Sequence, residues 1–179
     1  MDSKIVKRIT KNAIMLAILC IIGMFSLPLG DNIKVSLQLL VVFIVALTAS
    51  SVLDAMCVTG LYLLLGLFMP IYAGFSVGIT PTFGFVISFV VLVVPVYFIN
   101  RINIKNQFLR MGIACFIGLI VCYIIGTAFL YLYLKYALNM NIGIEKALLI
   151  AVVPYIPFDI AKIIIATLVV SVLPKKLLL

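Results

Sequence analysis

Asp159 and Lys162 stand inside an otherwise apolar run, Val153-Pro154-Tyr155-Ile156-Pro157-Phe158-Asp159-Ile160-Ala161-Lys162. Three residues apart, they share one face of a helix. A charge at the centre of a membrane helix costs roughly 2.5–3.5 kcal/mol even on the mildest insertion scale. Pairing offsets part of that cost, and so does facing a wet or ligand-filled cavity. One acid and one base suit a ligand that offers both donors and acceptors, such as a cyclic urea carrying a carboxylate. The plainer reading is an ion pair that only fixes helix packing; intramembrane charges by default mark a ligand or ion site, which favours the functional one. Pro154 and Pro157 each remove a backbone donor and free carbonyls upstream. The helix is therefore expected to bend there, with Asp159 near the start of its second half.

Little else in the chain can do chemistry. Intramembrane hydrolysis needs paired carboxylates, a Ser–His pair or a metal cluster, and this sequence has no His and one clear carboxylate within its apolar runs. No metal site or cofactor is expected. No glycine-rich loop of the phosphate-cradling kind is present, so the chain cannot power transport by itself. Cys20, Cys57, Cys115 and Cys122 fall in apolar stretches without CxxC spacing and read as small buried hydrophobes. Ser51-x-x-Asp54 has the form of a capping box, which makes a helix start the plainer role for Asp54. Ala13 and Ala17, four apart, would let a partner helix approach closely.

The elements that must position these residues follow from composition. Of 179 residues, 66% are hydrophobic and 10% charged, against about 45–50% and 25% in soluble domains. No soluble fold of this size hides so much apolar surface. Six spans of about 20 residues fit the length and leave no room for a soluble domain. They are expected at about Asn12–Leu29, Val35–Thr48, Val52–Met69, Phe83–Ile99, Met111–Tyr136 and Ala147–Leu173. A signal peptide also begins basic and turns apolar, but its apolar run is usually shorter and no A-x-A-like site follows here. Between the third and fourth spans, the stretch Pro70 to Thr82 is uncharged, glycine-bearing and bracketed by prolines. Irregular backbone at membrane depth must be buried or line a cavity, so this loop reads as a lid or pocket wall.

The net charge is +8. The cations sit at the ends of apolar runs, which points to topology and away from nucleic acid. With the N-terminus inside, nine Lys/Arg flank the inner side and three the outer side, Lys162 being within the sixth span. The positive-inside rule then puts both termini in the cytosol. The reading is an all-α integral membrane protein: one compact six-helix bundle over residues 1–179, N-in and C-in, with residues 1–11 a cytosolic basic arm and the loop between helices three and four facing outward.

Four stretches are similar to a known family: Val35-Ser36-Leu37-Gln38, Gly60-Leu61-Tyr62-Leu63-Leu64-Leu65-Gly66, Thr80-Pro81-Thr82-Phe83-Gly84-Phe85, and Pro154-Tyr155-Ile156-Pro157-Phe158-Asp159-Ile160-Ala161-Lys162. Through them the chain resembles the biotin-specific S components, the BioY family, of energy-coupling factor transporters, over nearly its whole length. The resemblance implies a bacterial-type plasma-membrane subunit that captures a small vitamin in a pocket near the outer face. It implies docking through Ala13 and Ala17 onto a membrane coupling subunit driven by two cytosolic ATPases. It also implies ligand contacts from Asp159 and Lys162, with Thr80, Thr82, Phe83, Gly84, Tyr72, Gln38 and Tyr155 lining the pocket. Where the family often has Gly, this chain has Phe83 and Phe158. Those changes beside the expected pocket keep a related sulfur-containing ring acid such as lipoate as the second ligand. A structural membrane protein without a ligand, or a stand-alone carrier, are the readings from other classes.

Overall fold

The apolar runs fold as helices because lipid offers the backbone no hydrogen-bond partner. In the computed structural model, which describes residues 3–28, 34–140 and 142–173, seven α-helices are seen. They are α1 (Ser3–Met24), α2 (Gln38–Thr48), α3 (Val52–Gly66), α4 (Phe83–Ile99), α5 (Gln107–Leu132), α6 (Ile144–Ala151) and α7 (Ile156–Val172). A π-helical turn, Tyr133–Ala137, prolongs α5.

α2 is the centre of the bundle. It packs against α1, α3, α4 and α7, and all its residues except Leu40 and Ile44 are buried. That burial is why so short a helix is stable: it touches protein on every side. α4 and α5 lie against each other closely. Phe129 of α5 covers Gly84 of α4, and Phe85 of α4 covers Gly126 of α5; a Cβ on either glycine would fall 2.2 or 2.3 Å from the ring-bearing side chain. Ser51 and Asp54 form the expected capping box at the start of α3, each side chain bonding the other's backbone amide.

The sixth apolar run bends as its prolines predict. α6 and α7 meet at 49° across a break of no more than four residues. Pro157 sits in the first turn of α7, where its missing N–H costs nothing. Asp159 therefore occupies the first turn of the second half.

Three features differ from the sequence expectation. α1 begins at Ser3, so the basic arm is the first part of a helix and not a separate segment. α1 ends at Met24, and a two-stranded antiparallel pair follows, Ser26–Pro28 (β1) with Lys34–Ser36 (β2). Proline at the end of a strand and the small residues at Ser26 and Ser36 suit a short, edge-only pair. Third, α2, α3 and α4 are shorter than full spans. Among the described residues only the continuous stretch Gln107–Ala137, 31 residues, passes as a span by itself; α6 and α7 pass together as a bent one, while α2, α3 and α4 have 11, 15 and 17 residues. The expected end of the first run at Leu29 and the closing cations Lys175 and Lys176 lie outside the described residues.

One end of the bundle is tied by polar groups. Arg8 Nε donates to both carboxylate oxygens of Asp54 at 2.8 and 2.7 Å, and Asn12 Nδ2 donates to Oδ1 at 2.9 Å. This bond raises the pKa of the Arg8 guanidinium above its ordinary value. Arg101, lying over the Tyr97 ring at 3.4 Å, donates to the Ala49 carbonyl at 3.1 Å. The start of α1, the α2–α3 turn and the end of α4 are thus joined.

Candidate functional site

A cavity of about 340 Å³ opens where α2, the loop 70–82, α4, α5 and the α6–α7 break converge. Its size is at the lower end of small-molecule sites. The break in the sixth run explains its position: where α6 stops at Ala151 and α7 starts at Ile156, the chain leaves room and aims the first turn of α7 into it.

Asp159 and Lys162 line this space and are 4% and 6% exposed. Lys162 Nζ donates to Asp159 Oδ1 at 2.6 Å. Tyr123, from the middle of α5, donates its hydroxyl to Asp159 Oδ2 at 2.6 Å. Each carboxylate oxygen thus has one protein donor and one remaining lone pair, and Lys162 keeps two ammonium protons beyond this bond. A buried pair left in this state is suited to a ligand that completes it with both donors and an acceptor.

The apolar walls come from Leu39, Val86, Phe89 and Leu130, all buried. The loop supplies the polar rim. Tyr72 and Ser76 form an antiparallel bridge, and Gly74, Phe75 and Gly78 have positive φ of 69°, 57° and 75°. A left-handed Phe75 is strained. The loop is held in that shape by Gly74 N–H to Met24 O at 3.0 Å and Gly78 N–H to Gly66 O at 2.9 Å. On the α2 side, Gln38 donates to the Tyr62 hydroxyl, which donates to Ile71 O at 2.9 Å, so the loop's first turn is fixed to α2 through α3.

Of the residues the sequence singled out, Asp159, Lys162, Thr80, Thr82, Tyr72, Gln38 and Tyr155 are brought together around this cavity. Phe83 and Gly84 are not. Phe83 is buried between Tyr72 and Phe129, with ring centroids 6.1 and 5.9 Å away, and so backs the wall from behind. Gly84 is the seat of Phe129. The other departure, Phe158, points outward and is 36% exposed. Neither phenylalanine enters the cavity. Ala13 and Ala17 are exposed on α1, on the face away from buried Leu19. Tyr123 is the residue that sequence reading missed. Its signal was available: a hydroxyl in the middle of a long apolar helix needs a buried partner.

The comparisons with known proteins agree with this picture. A sequence model of the BioY family matches residues 1–178. A curated relative, the "Biotin transporter BioY" of Thermotoga maritima, is 26% identical, with 94% of this chain and 96% of that protein covered. The crystal structure of "the S-component for biotin from an ECF-type ABC transporter" shares the fold with a TM-score of 0.80, at 21% identity, covering 95% of this chain and 92% of that one. The match across essentially every residue, over a fold whose broken helix carries the Asp159–Lys162 pair, leads to one conclusion: the chain belongs to the BioY family.

Proposed function

We propose that this protein is the membrane subunit that captures biotin for an energy-coupling factor transporter. The observation that carries the reading is the buried Asp159–Lys162–Tyr123 cluster, with unused acceptors and donors, in a small and mostly apolar cavity. Biotin's ureido ring offers N–H donors for Asp159 and a carbonyl for Lys162, while its fused thioether ring and alkyl tail suit Leu39, Val86 and Phe89. The relative and the structural neighbour are named for the same vitamin. Lipoate, with no ring N–H, would leave Asp159 unmatched, and unpaired buried polar groups are what give a site its discrimination. The outward placement of Phe158 and the backing role of Phe83 remove the reason to expect a reshaped pocket. Calorimetry on the purified chain tests this: biotin binds at one site per chain and lipoate competes at least about a thousandfold more weakly. Equal binding of the two overturns the assignment.

Uptake itself would require a membrane coupling subunit and two cytosolic ATPases. The exposed Ala13 and Ala17 on α1 support docking there, since small residues let backbones approach. Ala13→Trp or Ala17→Trp is expected to abolish uptake and complex assembly while biotin binding by the isolated chain persists. Six spans with both termini cytosolic remain the topology that the charge asymmetry supports; the short α2–α4 are then tilted or partly shielded spans. In a chain freed of its native cysteines, Val77→Cys is expected to react with an impermeant reagent applied outside, and Lys4→Cys is not. The reverse labelling overturns this orientation.

A further inference from the structure

The closed end of the cavity carries its own counter-charge. Lys162 Nζ is 2.6 Å from Asp159 Oδ1, so an anion brought to the ammonium also meets the carboxylate. Attraction and repulsion from two opposite charges at nearly equal distance largely cancel. A neutral group that presents N–H to Asp159 and a carbonyl to Lys162 suffers no such conflict. The open end has different chemistry. The Thr80 and Thr82 hydroxyls are 3.2 Å apart and exposed, and the half-buried Ser36 and Ser76 complete a rim of neutral hydroxyls. Among the described lining residues, the acidic and basic side chains are Asp159 and Lys162, already paired with each other. The exposures of 4% and 6% mark that pair as the closed end, and the hydroxyl rim as the mouth.

We propose that the cavity takes its ligand with the cyclic urea inward and reads the acid at the other end as a hydrogen-bonding group, not as a charge. Neutral carboxamides of the same ligand then belong to the substrate class. A carboxamide accepts from the threonine and serine hydroxyls as a carboxylate does, and its N–H2 can donate back to their oxygens. The open mouth lets water solvate a carboxylate, so no buried cation is needed to hold it.

This inference rests on the biotin reading, and its test separates the two. The full-length purified chain is titrated with biotin and, in parallel, with biotin's primary carboxamide. The expected result is a carboxamide affinity within about fivefold of that of biotin, with Lys34→Gln leaving biotin affinity unchanged. A carboxamide weaker by about thirtyfold or more, the loss seen when a buried charge pair is deprived of one member, overturns the inference. So does a Lys34→Gln variant that weakens biotin and not the carboxamide, because a cation at the end of β2 then reads the acid. Binding of neither compound overturns the biotin reading itself, whereas binding of biotin alone overturns only the assignment of its acid end.

Discussion

Asp54 and Asp159 are both buried acids in the first turn of an apolar helix, each with a cation in reach, at 2.7 and 2.6 Å. Their surroundings differ in one respect that decides their roles. Asp54 accepts from Arg8, from Asn12, and from both the amide and the hydroxyl of Ser51. Its lone pairs are used up by the protein, and it is not among the residues that line the cavity beside Asp159. Asp159 accepts one bond at each oxygen and borders the cavity. A saturated carboxylate ties elements together; a half-saturated one beside an open space is prepared for a ligand. Burial and pairing alone, which the two share, do not make the distinction.

The comparison can be broken most strongly at Asp159. Replacing the pair together, Asp159→Asn with Lys162→Met, removes both charges at similar volume, which folded proteins often accept without loss of stability. Biotin affinity is expected to fall by about a thousandfold or more, because charged hydrogen bonds contribute about 1.5–3 kcal/mol each. Thermal unfolding and calorimetry on the same preparation separate folding from binding. Full binding by this variant would return the pair to a packing role and erase the contrast with Asp54. The single change Asp159→Asn keeps shape and one acceptor oxygen, so a loss of about a hundredfold is expected.

Tyr123→Phe sharpens the comparison by leaving Asp159 one donor short. Loss of one hydrogen bond to a carboxylate is expected to weaken biotin by about tenfold. An unchanged affinity would show that Lys162 alone orients the carboxylate. The smallest effect on binding belongs to Asp54→Asn: affinity within about twofold of the parent, with stability lower by about 1 kcal/mol through the weakened capping box and the weaker tie to α1. Thermal shifts measured with and without biotin check both halves. A Kd that moves more than the melting temperature explains would mean that the Arg8–Asp54 end communicates with the cavity.

Much of the site was legible because it depends on local rules. The three-residue spacing puts Asp159 and Lys162 on one helix face wherever that helix lies. Pro154 and Pro157 bend the chain in any fold, and Ser51 with Asp54 caps α3 without help from distant residues. Other features were not legible. Nothing near Arg8 in sequence shows that its partner lies 46 positions away, nor does the sequence around Tyr123 point to Asp159, 36 positions on. The β1–β2 pair was missed because two three-residue strands have no period long enough to read.

Phe83 and Phe158 draw the final boundary. The sequence alone determined that the solvent is lipid, through the 66% hydrophobic content, and that one acid and one base are retained within it at a cost that demands a reason. It also marked the uncharged loop 70–82 as a pocket wall, since irregular backbone at membrane depth must be buried or line a cavity. Only the tertiary structure decided which side of each element meets the cavity. Phe83 follows Thr82 by one residue yet backs the wall, because Tyr72 and Phe129 close around it. Phe158 precedes Asp159 by one residue yet points outward, because successive helical side chains diverge by about 100° and α2 and α5 occupy the other side. Spacing fixes which residues share a face, and packing against distant helices fixes what that face looks at.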